Sequence, residues 1–164
     1  MVNLYDKDEI ERINKSRETN DKLEEFFNSK REDWKKTIDP LFESMKNNFT
    51  LDNAKKIIDI QSMALSFRQA LSEEISFFLN KRSREEVKLK KLKQDKFVFY
   101  ATGFGLKTSL GEKSILIDAH TAESERNIQL IDVHIDFLRT SSKNLEALGF
   151  SIKNIVELMT YLSK

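Results

Sequence analysis

The chain has 164 residues, 28 of them basic and 27 acidic, with 34% charged and 39% hydrophobic residues, four glycines and one proline. That length suits one domain with a real core, and so much charge with so few chain-breakers suits long helices rather than a turn-rich sandwich. The absence of cysteine excludes disulfides and thiolate metal sites, and two histidines, His120 and His134, are too few for a histidine-rich metal cluster.

No apolar leader opens the sequence and no apolar run reaches spanning length, so a cytoplasmic protein without membrane attachment is expected. The net charge of +1 conceals a local field. Residues 1–60 carry a net −2, residues 61–80 and 97–164 each carry −1, and residues 81–96 carry +5. All of the positive excess therefore lies in one short stretch.

Residues 6–30 place Ile10, Ile13, Leu23, Phe26 and Phe27 in the pattern of a weakly amphipathic helix that needs a partner. Trp34, Ile38, Leu41, Phe42, Met45 and Phe49 continue it. Pro40 predicts a break at Asp39-Pro40, because a following proline pushes Asp39 out of the helical region. Residues 1–50 thus read as an amino-terminal helical extension, ahead of a helical domain over 51–164.

In that domain Ile57, Ile60, Ala64, Phe67, Leu71 and Phe78 follow a heptad seam, which Asp52 is placed to cap. Nothing stops the helix through the lysine-rich stretch, and its length predicts a coiled coil or a kink near Asn80. Gly103, Gly105 and Gly111 mark a non-helical centre. There KTSL and SILID read as short strands of a β-hairpin near 106–118. Residues 97–102 are open between strand, favoured by aromatic and β-branched content, and helix, favoured by continuity.

From Ala122 the pattern is helical again, with Ile128, Ile131, Ile135, Leu138, Ser142 and Leu145 on one seam. Gly149 is placed to end that helix, and Ser151 to cap a last one bearing Ile152, Ile155, Val156, Met159 and Leu162. The expected class is mainly α, with long helices, heptad seams and a small central β-hairpin.

The chemistry concentrates in KLKKLKQDKFVFYATGFG, residues 88–105. On a helix, Lys81, Arg84, Lys88 and Lys91 fall within an arc of about 80°, while Lys90, Lys93 and Lys96 lie on other faces. Most lysine runs are solvated helix surfaces. Here, however, Phe97, Phe99, Tyr100 and Phe104 follow at once, and single-stranded nucleic acid is held by cations on its backbone and rings under its bases. Period-two alternation would send Phe97 and one neighbour into the core and leave Tyr100 and Phe104 the better stacking candidates. The candidate DNA contacts are Arg84, Lys88, Lys90, Lys91, Lys93, Lys96 and Lys107, with Phe99 or Tyr100.

Gly103-Phe104-Gly105 lacks the third glycine and the parallel sheet of a dinucleotide fingerprint. Glu123, Glu125, Asp132 and Asp136 around His134 are better explained as the wet face of a helix than as metal ligands. No nucleophile is paired with a base, so a non-enzymatic protein without cofactor is expected. Two seams in one chain ordinarily pack on each other. The sharper expectation is an oligomer interface at Ile128, Ile131, Ile135, Leu138, Leu145, Phe150, Ile152 and Ile155, repeating the basic stretch so that modest local charge binds DNA tightly.

KLKKLKQDKFVFYATG, LKTSLGEKSILIDAH and LEALGFSIKNIVELM together resemble the UvsY-type recombination mediators of T-even-like bacteriophages over roughly residues 65–164. The shared features are a basic stretch before an aromatic pair and a glycine, a K-T-x-L segment before an apolar run ending in Asp, and a G-F-x-I-K-x-I corner. The resemblance implies a ring-like homo-hexamer or homo-heptamer. It would bind single-stranded DNA and help a RecA-like recombinase displace single-strand-binding protein. By that likeness the basic positions fall near Lys93 and Lys96, with Phe99 and Tyr100 as the aromatic pair. Asp95 and the aromatic-rich FVFY depart from the pattern, and the amino-terminal fifty to sixty residues have no counterpart in it. A helical structural or adaptor protein of a phage or replication assembly is the alternative reading.

Overall fold

The computed structural model describes residues 7–47, 53–102 and 109–162, which form three α-helices: α1 (Lys7–Asn47), α2 (Ala54–Thr102) and α3 (Leu110–Leu162). The mainly helical class stands, but among the described residues there is no strand: of the β-hairpin expected near 106–118, the described part from Leu110 onward is the first turns of α3, and residues 106–108 lie outside the described residues. The cause is a capping box in Ser109-Leu110-Gly111-Glu112. The Ser109 backbone N–H donates to the Glu112 carboxylate at 2.7 Å, and the Glu112 N–H donates to Ser109 Oγ at 3.3 Å. Lys113 N–H then closes the first helical bond on the Ser109 carbonyl at 3.1 Å. These bonds to Ser109 hold the Glu112 carboxyl below its usual range.

One open point is resolved and two further expectations are revised. Residues 97–102 are helical, the last turns of α2. Pro40 lies inside α1 rather than at its end. Proline removes the bond to the Lys36 carbonyl. Pro40 and Lys36 are both exposed, so water can take that carbonyl, while buried Ile38, Leu41 and Met45 hold the helix on both sides of the lost bond. Gly149 does not end α3, which continues to Leu162, so neither the Gly149-Phe150 corner nor a separate last helix exists. Asp52, Gly103, Phe104, Gly105 and Lys107 lie outside the described residues.

The chain divides into two compact units, each drawn from two stretches. Helix α1 supplies core to both, Phe27 to one and Ile38, Leu41 and Met45 to the other. The unit made of 28–78 and 134–164 holds most of the buried apolar side chains: Ile38, Leu41 and Met45 of α1; Ile57, Ile60, Leu71 and Phe78 of α2; Ile135, Leu138, Leu145, Leu148 and Ile152 of α3. The heptad seam of α2 thus closes a three-helix core, and each fully buried leucine contributes about 1.5–3 kcal/mol.

The unit made of 1–27 and 79–133 buries fewer apolar side chains among those described, chiefly Phe27, Ile128 and Ile131. Polar contacts between its helices accompany them. Asn20 of α1 is fully buried and donates to the Glu123 carbonyl of α3 at 3.1 Å, and to the Glu123 carboxylate. Arg126 meets Glu24 at 2.9 Å. Arg82, Lys93 and Tyr100 of α2 meet Asp132, Glu125 and His120 of α3 in reverse order, so these two helices run antiparallel.

A Cβ added at Gly149 would meet nothing within 4 Å. Gly149→Ala is therefore expected to stabilise the fold by about 1 kcal/mol, read as a raised midpoint in urea unfolding. A glycine acting as a left-handed cap would give the opposite sign.

Candidate nucleic-acid interface

The basic stretch is a helical surface, and the 3.6-residue period decides what each side chain can reach. Arg84, Lys88 and Lys91 are exposed on one stripe of α2. Arg84 and Lys91 have no ion-pair partner among the described residues. Lys88 is bridged along the helix to Glu85 at 2.8 Å, with its own side chain 71% exposed. Phe99, two turns beyond Lys91, falls in the same arc of about 80°. Its ring is 47% exposed, and Lys96 Nζ stands 5.9 Å from its centroid. Asp95, also exposed, interrupts the stripe between Lys91 and Phe99.

The remaining candidates point elsewhere. Lys93 turns to α3 and meets Glu125 at 2.6 Å, and that hydrogen bond holds its ammonium above the ordinary lysine range. Tyr100 is half-buried, with its ring 6.0 Å from His120 of α3 and edge-on to Phe99 at 5.3 Å. Lys90 is exposed on the opposite flank of α2 from Arg84 and Lys88.

Phe97, expected in the core, is instead 51% exposed. With Leu89, Lys90, Lys93 and Val98 of α2 and Ile117 of α3 it lines an open groove of about 580 Å³. Alternation with period two applied a strand rule to a helix, which is why this groove escaped the sequence reading. The spacing of Leu89, Lys93 and Phe97 at four residues was the signal for it.

Six of the eight proposed interface residues, Ile128, Ile131, Ile135, Leu138, Leu145 and Ile152, are buried against the chain itself. Phe150 is 62% exposed and Ile155 half-buried. No family model, curated protein or solved structure matches the chain. The resemblance to UvsY-type mediators accordingly rests on the residues quoted for it.

The acidic residues near His134 are taken up separately: Asp132 by Arg82 at 2.5 Å and Asp136 by Arg139 at 3.6 Å. Among the described residues no three metal-ligating side chains are grouped. His134 is fully buried in the apolar unit, edge-on to Phe78 at 4.8 Å and stacked on Phe137 at 6.4 Å. Its Nε2 lies 3.4 Å from Glu74 Oε1, and the other Glu74 oxygen accepts from the Trp34 indole at 2.7 Å.

Burial pushes the His134 pKa below its ordinary 6.5, against the raising effect of Glu74 and with the help of Arg31 and Lys30 of α1. The unfolded chain therefore takes up a proton near pH 6.5 that the folded chain resists. Stability from this group is present above that value and is lost as the pH falls through it toward the folded pKa. Urea midpoints are expected to drop between pH 7 and 5, and His134→Gln to flatten that part of the profile.

Proposed function

We propose that the chain is a non-enzymatic single-stranded DNA-binding protein that acts as a recombination mediator. It would promote the loading of a RecA-like recombinase onto DNA covered by single-strand-binding protein. The DNA-binding part is supported by one observation: Arg84, Lys88 and Lys91 stand exposed on a single stripe of α2 that ends at the half-exposed ring of Phe99, beside Lys96. Cations in file can neutralise successive phosphates while a ring receives a base, a combination that holds single strands without reading their sequence. Lys93 contributes only by leaving Glu125, and Tyr100 only by leaving His120.

The mediator role is carried by the resemblance, as is the homo-hexameric or homo-heptameric ring. Phe150 and Ile155 are the members of the expected interface with surface left for such an assembly. The adaptor reading is favoured by a different observation. Arg82 and Lys93 are bound to Asp132 and Glu125 of α3, so part of the basic stretch holds the bundle together.

Titration of labelled oligo-dT over a salt series separates the two. Under the DNA-binding reading, affinity falls steeply with salt, and Lys88→Ala with Lys91→Ala reduces the log–log slope by about 1.4 for two lost phosphate contacts. Phe99→Ala weakens binding by about 1–3 kcal/mol, and Asp95→Lys tightens it. Absence of binding at low salt, or affinity indifferent to the two lysines, selects the adaptor.

A further inference from the structure

We propose that the groove between α2 and α3 at Phe97 is a docking site for an acidic, apolar peptide segment of a partner protein. This inference stands apart from the DNA stripe, because Arg84 and Lys88 lie on the opposite flank of α2 from Phe97 and Lys90.

The shape and wall come first. The groove is open, has a volume of about 580 Å³, and is floored by Leu89, Phe97, Val98 and Ile117. Phe97 and Val98 are 51% and 58% exposed, so apolar surface lies uncovered on two adjacent residues of a well-formed helix. Gln94 is the only uncharged polar side chain on the wall among the described residues. A nucleobase would bring polar edge groups that the floor of Leu89, Phe97, Val98 and Ile117 cannot pair, which carries a cost. A leucine or phenylalanine side chain carries no such cost, and the groove has room for more than one.

Charge then selects the peptide. Lys90 and Lys93 stand one turn apart along the wall. Lys90 has no ion-pair partner among the described residues. Lys93 already holds a carboxylate, that of Glu125 at 2.6 Å, so the protein itself supplies an example of the contact an acidic partner would make. Glu86, the one acidic residue on the wall among those described, is bridged to Arg82 at 2.8 Å, which blunts its repulsion of incoming carboxylates. Apolar floor and cationic edge together fit a segment that alternates aspartate or glutamate with leucine or phenylalanine.

The test uses the full chain and three fluorescein-labelled synthetic peptides. One contains aspartate, leucine and phenylalanine; a second has its apolar residues replaced by serine; a third has its aspartates replaced by lysine. The first is expected to bind at least about tenfold more tightly than either control. Phe97→Ser and, independently, Val98→Asp are each expected to weaken it by about tenfold. Phe97→Ser, on the flank away from Arg84 and Lys88, is expected to leave affinity for oligo-dT unchanged. Both positions are exposed, and circular dichroism checks that the variants stay helical.

Equal binding of the first and second peptides would overturn the proposal in favour of general adhesion of acids. Equal binding of the first and third would reduce it to apolar stickiness. Displacement of the peptide by oligo-dT, with loss of both ligands in Phe97→Ser, would make the groove a nucleic-acid surface. No peptide binding, with a fall in mass by light scattering in Phe97→Ser, would assign the groove to a second copy of the chain. In each case the salt series on the Arg84 stripe gives its own answer, so the two readings fail separately.

Discussion

Everything at the basic end of this chain depends on α2 keeping its helical period past Lys96. A switch to extended backbone would have set Phe97 beside Phe99 and sent one pair of rings inward. Helical continuation separates them by about 200°, so each ring sits among a different set of cations. Phe99 closes the stripe begun by Arg84, and Phe97 floors the groove edged by Lys90 and Lys93. One stretch of sequence thereby serves two surfaces, and the lysines that looked redundant for solubility are divided between them.

The same helix is anchored by different physics in the two compact units. In one, the seam from Ile57 to Phe78 is buried with leucines and isoleucines of α1 and α3, the ordinary way a three-helix core is stabilised. In the other, Arg82, Lys93 and Arg126 reach carboxylates on neighbouring helices beside a shorter set of buried apolar residues. Half-exposed ion pairs of this kind contribute little stability each and are screened by salt. Their value lies in register and in fixing which way a long side chain points. Lys93 is thereby held at the groove and away from the stripe of Arg84, Lys88 and Lys91.

The sequence made the apolar seams legible, because three-and-four spacing needs no context: Ile57, Ile60, Leu71, Ile131, Ile135 and Leu138 are all core. It misled where one residue type was allowed to decide. Pro40 and Gly149 were read as stops, yet buried neighbours on the flanking turns outweigh the loss at each. The hairpin rested on Ile115, Ile117 and the nearby glycines. The S-x-x-E signature of Ser109 and Glu112, a helix start in the same few residues, points the other way and prevails. Of the site, the cations were visible as a charge excess. Of the groove, only the α2 side was open to reading, through the four-residue spacing of Leu89, Lys93 and Phe97; Ile117 joins them through the antiparallel packing of α3 on α2.

Glu74 interrupts the α2 seam with a carboxylate, and its bond to the Trp34 indole has a spectroscopic consequence. The chain contains a single tryptophan. Its indole N–H is tied to Glu74 at 2.7 Å, and its ring meets Phe67 edge-on at 6.5 Å, all within the apolar unit. Tryptophan emission, excited selectively so that the three tyrosines stay silent, therefore reports on that unit. Comparing emission with far-ultraviolet dichroism during unfolding would show whether the two units melt as one, without a label or a mutation.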